Sequence, residues 1–165
     1  MKNDRAGTPG DVRADLRVGL VWKGDLRFDA GPAGIEPHAL DGDTKAAPSP
    51  PQVLLEALAG CVTVDVVLIL NKQRTPPTNV SCEVTAERAP RVEGSSRRIL
   101  KVHLALTIGG EGIAYDKAMR AIELSVTKYC TVRDTLDPDM PVTWSLTLSG
   151  ATREWRAAIL EGEPG

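Results

Sequence analysis

The sequence predicts an α+β fold, with strands and helices segregated rather than strictly alternating. Three features point there: several period-two apolar runs, one long apolar helix between proline-rich flanks, and one amphipathic helical stretch before the last apolar run. The order of elements is strands, long helix, strands, helix, strand, which does not spell a doubly wound parallel sheet.

From Val12 to Trp22, Val12, Ala14, Leu16, Val18, Leu20 and Trp22 alternate with Arg13, Asp15 and Arg17, the pattern of a half-buried strand. Gly24-Asp25 reads as a turn into a short return strand through Leu26 and Phe28. The stretch from Gly31 to Pro51 carries Gly31, Pro32, Gly34 and Pro37, then Pro48, Pro50 and Pro51, and is expected to be a loop. The long helix can open at Pro50 or Pro51, where a missing N–H is harmless, with Ser49 as N-cap. It should end near Gln73 or Arg74, because Pro76-Pro77 cannot continue it.

Its stretch from Val53 to Leu70 is the one segment resembling a membrane span. Glu56 and Asp65 lie inside it, each costing about 2.5 to 3.5 kcal/mol at a bilayer centre. Nine positions apart, they face opposite sides of a helix and share no polar stripe. A buried soluble helix, covered by sheet or by another chain, is therefore expected.

Three alternating runs supply the sheet: Val80, Cys82, Val84, Ala86; Leu100, Val102, Leu104, Leu106, Ile108; and Val142, Trp144, Leu146, Leu148. The loop RAPRVEGSSRR, with four arginines from Arg88 to Arg98, reads as a solvated hairpin tip. Asp116 to Asp134 places Ala118, Met119, Ile122, Val126, Tyr129 and Cys130 at helical steps, with Thr127 and its β-branched neighbours favouring a break before Tyr129. Trp155, Ala158 and Ile159 share a face, so Thr152 to Glu161 is expected to be a short docking helix. Residues 1–10 read as a flexible N-terminal tail and 11–165 as a single domain.

A chain of 165 residues can bury roughly 70% of its extended surface without staples. With 20 basic against 22 acidic side chains and a net charge of −2, no electrostatic feature calls for nucleic acid or an anionic membrane as partner. Three cysteines are too few for a secreted disulfide scaffold. The polar opening MKNDRAGTPG has no signal-peptide pattern, and a reducing cytoplasm is the expected setting.

Nucleotide-binding and serine-nucleophile motifs are missing, and Gly109-Gly110-Glu111-Gly112 reads as a turn. His38 and His103 have no metal-ligand spacing, so neither metal nor cofactor is expected. Thiol chemistry remains. Cys82 alternates with Val80 and Val84 and reads as a core residue, whereas Cys61 lies mid-helix beside Gly60 and Cys130 within or next to the second helix.

The run PSPPQVLLEALAGCVTVDVVLIL, Pro48 to Leu70, followed by AIELSVTKYCTV, Ala121 to Val132, resembles the OsmC/Ohr family of thiol-dependent proteins. One cysteine follows an L-A-G step in a long apolar helix and the other follows K-Y, as in that family. With the order of elements, the resemblance spans roughly Val12 to Leu148. It implies antiparallel sheets wrapped around a long central helix, in an intertwined homodimer with active sites near the subunit interface. In catalytic members the first cysteine attacks a hydroperoxide O–O bond and becomes a sulfenic acid. The second captures it as a disulfide, and a small dithiol or cellular thiol resets the pair. Carried onto this chain, Cys61 is the peroxidatic and Cys130 the resolving cysteine.

A peroxidatic thiol must ionise, and apolar surroundings oppose that unless a cation offsets them. Cys61 is three turns into its helix, beyond the reach of the N-terminal dipole. Catalytic members use an arginine and a glutamate, the latter just after the proline that opens the helix; here those positions read Pro51 and Gln52, so the glutamate is absent. Glu56, about 140° away from Cys61 on the helix, is no simple replacement. Arg17, Lys23 and Arg27 are the candidate cations, Arg27 first. Asp65, one turn after Cys61, is expected to bond backbone or a partner-chain group, and Arg133 to favour the Cys130 thiolate if the helix is regular there. Two functions follow: a peroxidase acting on organic hydroperoxides, with hydrogen peroxide as a further substrate, in oxidative stress defence; or a non-catalytic relative that binds a small hydrophobic ligand at the dimer interface.

Overall fold

The computed structural model describes residues 16–148 and the backbone of 151–154. Two compact units divide near the start of the long helix, Met1–Val53 and Leu54–Gly165.

In the N-terminal unit, β1 (Gly19–Gly24), β2 (Arg27–Gly31) and β3 (His38–Asp41) form an antiparallel sheet in that order. Gly24 and Asp25 both take positive φ, 104° and 49°, which permits the tight reversal that the sequence suggests. The expected half-buried strand from Val12 is not what is found. Val12 to Asp15 lie outside the described residues, Leu16 to Val18 are not strand, and Leu20 and Trp22 on β1 are 58% and 66% exposed. The Gly31–Pro51 stretch is likewise not all loop, since His38–Asp41 pairs with β2 from Ala30↔His38 to Arg27↔Asp41. Beyond it, the Asp41 carboxylate accepts backbone N–H bonds from Asp43, Lys45 and Ala46 at 2.9 to 3.0 Å, which fixes residues 41–46. The Ala46 bond foremost, then that from Asp43, holds Asp41 below the usual carboxylate range.

Helix α1 spans Pro50–Lys72. Gln52 Oε1 accepts from both the N–H and the hydroxyl of Ser49 at 2.8 and 2.7 Å, a Ser-x-x-Gln capping arrangement that starts the helix where the prolines allow. By length and composition α1 could cross a membrane. In the structure Leu58, Val62, Val66 and Leu70, four residues apart, are fully buried in one apolar cluster with the sheet of the C-terminal unit. Each such burial is worth about 1.5 to 3 kcal/mol. The opposite stripe is uncovered in the single chain: Leu54, Val64 and Leu68 are 40%, 59% and 52% exposed.

That sheet has the order β4 (Asn79–Arg88), β5 (Ile99–Gly109), β6 (Val142–Leu148), β7 (Ala151–Glu154). Val102, Leu104, Leu106 and Ile108 of β5 and Val142, Trp144 and Leu146 of β6 are buried, as their alternation predicts. The arginine-bearing loop between β4 and β5 is a largely exposed hairpin tip, with Arg98 paired to Asp137. The sheet is mixed rather than purely antiparallel: β5 and β6 run parallel because a helical crossover joins them. At the C-terminal end, Ala151–Glu154 is a strand antiparallel to β6, not the start of the expected helix. The remainder of that expected helix, through Glu161, lies outside the described residues.

The crossover is not one regular helix. It comprises α2 (Tyr115–Leu124), a π turn (Ser125–Tyr129) and α3 (Thr131–Thr135). Cys130 between the last two has extended backbone, φ −69° and ψ 102°. Its N–H reaches back five residues to the Ser125 carbonyl at 2.9 Å, while the Thr127 hydroxyl donates to the Glu123 carbonyl at 2.7 Å. Such side-chain competition for helical carbonyls is how β-branched threonines bend a helix.

Candidate active site

Both sequence-predicted cysteines lie in the C-terminal unit, and the fold brings them together. Cys61 is half-buried on α1 between the buried Leu58 and Val62 and packs against the core cluster. Gly60 beside it is open, since a Cβ there would meet nothing within 4 Å. Cys130 is only 2% exposed. Its thiol lies near enough to Cys61 for the two to act on each other electrostatically, and both are free cysteines.

The two sulfurs differ in surroundings. Burial, reinforced by the neighbouring Cys61 thiol, pushes the Cys130 thiol up to about 12. Backbone N–H groups oppose this, that of Arg133 first and that of Val132 after it; the Arg133 N–H donates to Cys130 Sγ at 3.3 Å, which makes the sulfur the N-cap of α3. The Arg133 guanidinium does not take the expected part. It donates to the carbonyls of Asp137, Pro138 and Met140 at 3.1 to 3.2 Å, in the turn after α3. Next to Cys130, the Lys128 ammonium lies 5.3 Å from the centre of the Tyr129 ring.

Asp65 accepts the Ser125 hydroxyl at 3.0 Å, a side-chain partner within the chain. Sequence reasoning missed Ser125. A serine in the helical row Ala118, Ala121, Ile122 was the available signal, since a fully buried hydroxyl needs a partner. Gln52, at the position of the missing glutamate, is exposed and spends its carbonyl oxygen on Ser49. Glu56 is exposed.

Arg27, in the N-terminal unit, pairs with Asp25 at 3.1 Å, and its charge acts on Asp41. Lys23 pairs with Asp29 at 3.2 Å. Cys82 sits on the core side of β4, and burial raises it to about 11. His38 is exposed on β3. His103 lies between the hydroxyls of Thr143 at 2.8 Å and Ser145 at 3.1 Å, and among the described residues no group of three or more His, Cys, Asp or Glu could hold a metal.

Comparison with known proteins places the fold. A family model described as OsmC-like protein matches residues 41–145. Protein YhfA of Escherichia coli strain K12 is 30% identical over 137 residues, covering 82% of this chain and all of that protein. The crystal structure of an OsmC-like protein from Mycoplasma pneumoniae superposes with a TM-score of 0.69 at 18% identity, covering 80% of this chain and 95% of that one. An organic hydroperoxide resistance protein OsmC from Legionella pneumophila gives 0.60 at 15% identity, covering 82% and 99%. By the family-model match and the identity with that relative, the chain belongs to the OsmC-like family.

Proposed function

We propose that this protein is a homodimeric thiol peroxidase that reduces organic hydroperoxides in oxidative stress defence, with Cys61 as the attacking and Cys130 as the resolving cysteine. The observation that carries the reading is the approach of two free thiols 69 positions apart in the chain, near enough for Cys61 to act on Cys130. The half-exposed Cys61 can be reached by a peroxide, whereas Cys130 is buried and stays protonated near neutral pH.

In the reaction the Cys61 thiolate attacks one peroxide oxygen, the O–O bond breaks, and the alcohol leaves with a proton. Cys61 is then a sulfenic acid. Cys130 attacks its sulfur, the S–S bond forms, and the hydroxyl leaves as water with the Cys130 proton. A thiol or dithiol reductant restores both thiols and is itself oxidised. Arg27 is our candidate for the cation that assists the attack by Cys61. The exposed stripe of Leu54, Val64 and Leu68 supports the homodimer, since an apolar helix face of this kind marks an interaction surface. Charge at its centre, Val64→Asp, should convert a dimer to a single chain in sedimentation.

The test is to treat the purified protein with cumene hydroperoxide, tert-butyl hydroperoxide or hydrogen peroxide, then count thiols and map disulfides. Rapid loss of two thiols as Cys61–Cys130, with Cys82 free and a dithiol reversing the change, is expected. Cys61→Ser should abolish peroxide consumption. Oxidation no faster than that of a small free thiol, or consumption that survives Cys61→Ser, defeats the reading. One observation favours a second reading, a non-catalytic protein binding a small hydrophobic ligand at the dimer interface: Gln52 caps α1 and supplies no carboxylate. That reading requires a ligand that raises thermal stability with or without Cys61.

A further inference from the structure

We infer that Ser125 and Asp65 form a clamp that sets the approach of Cys61 to Cys130, making both positioning residues for disulfide formation; the inference rests on the Cys61–Cys130 pair proposed above. Ser125 has no exposed surface. Its hydroxyl proton lies between Asp65 Oδ2 at 3.0 Å and the Val62 carbonyl at 3.3 Å, both on α1. Val62 follows Cys61 directly and Asp65 stands one turn beyond it. The backbone carbonyl of the same Ser125 accepts the Cys130 N–H at 2.9 Å and thereby closes the π turn. A single residue thus grips α1 beside one sulfur and the backbone of the other.

Packing alone does not account for this residue. In a row that otherwise holds Ala118, Ala121 and Ile122, an alanine would satisfy burial, whereas a hydroxyl needs a buried acceptor. Hydrogen bonds to a carboxylate are also shorter and stronger than neutral ones, so Asp65 gives the contact direction as well as strength. The crossover here is irregular: a π turn followed by an extended residue. The clamp is what fixes Cys130 laterally against α1.

The test uses the full-length protein equilibrated without oxygen in graded glutathione and glutathione disulfide. Exchange with glutathione disulfide forms the Cys61–Cys130 bond and releases two glutathione thiols, so the equilibrium reads the effective concentration of the pair without any peroxide. Alkylation and peptide mass spectrometry give the linked fraction. Ser125→Ala should lower the effective concentration about tenfold, equivalent to about 30 mV for a two-electron couple. Asp65→Leu should do the same. Asp65→Asn, which keeps an oxygen for the hydroxyl, should stay within about threefold of the wild type.

Wild-type equilibria in both Ser125→Ala and Asp65→Leu overturn the clamp, as does an Asp65→Asn value as low as that of Asp65→Leu. If Ser125→Ala does not fold, the two Asp65 variants decide the matter. A peroxide-inert protein whose glutathione equilibrium responds as stated loses the peroxidase reading and keeps the clamp. A peroxide-active protein with an unresponsive equilibrium loses the clamp alone. A wild type that never links Cys61 to Cys130 at any ratio defeats both.

Discussion

The two segments that bring the thiols together are built on opposite plans. Around Cys61 the chain is an uninterrupted 23-residue helix, anchored by four fully buried residues at regular spacing. Around Cys130 it is a π turn, an extended residue and a five-residue helix with no buried side chain, held by hydrogen bonds from Ser125, the Arg133 backbone and the Arg133 side chain. Apolar packing positions a sulfur by spreading the task over many contacts, none of which is directional. The polar arrangement does it with a few directed bonds, each of which can be removed singly.

The sharpest way to break this contrast is Leu58→Ala. Deleting that anchor should cost about 2 to 5 kcal/mol in chemical denaturation. Val64→Ala on the uncovered stripe should stay within about 0.5 kcal/mol at concentrations that keep the chain single. Equal losses would mean that α1 is not held by its inner stripe. Next in size is Arg133→Met, which removes three bonds to carbonyls and should cost about 1 to 3 kcal/mol. Hydrogen exchange should then speed at 130–140 and leave the inner turns of α1 protected; uniform acceleration would show that the two segments are one cooperative unit.

The smallest expected effect is a pH dependence. Cys82 and Cys130 hold their protons above the ordinary thiol value of 9.0, up to about 11 and about 12. Their contribution to stability is therefore complete below pH 9, where both states are protonated, and is lost as pH rises through the folded values, because the unfolded chain ionises first. Unfolding free energy should fall from pH 9 upward, and Cys130→Ala should flatten that slope more than Cys82→Ala. A steeper contribution from Cys82 would place the drier environment on β4 instead.

These contrasts also explain what could be read in advance. Regular elements were legible: the start of α1 at Ser49-Pro50, the buried sides of β5 and β6, and the placing of Cys61 in mid-helix all follow from local chemistry and period. Joining Cys61 to Cys130 came through the resemblance of two separated strings, because spacing alone cannot bring residues 69 positions apart into contact. The irregular pieces were hidden for physical reasons. His38–Asp41 is four residues long in a Gly- and Pro-rich stretch, and its strand character comes from pairing with β2 rather than from alternation. A π turn advances one residue too many per turn, so a helical template slips across it and counts Tyr129, which is 50% exposed, among the apolar positions. In β1 the alternation is present but Leu20 and Trp22 stay exposed, since a pattern announces an apolar face without naming what covers it.

The parallel β5–β6 pairing has a consequence for synthesis. Parallel neighbours can register only after the whole crossover between them has been made and wound, and Cys130 rides in that crossover. In the unfolded chain Cys82, 21 positions from Cys61, closes a loop about six times as often as Cys130 at 69 positions. Oxidant that arrives before folding therefore favours the mismatched bridge, and only the finished topology reverses the odds.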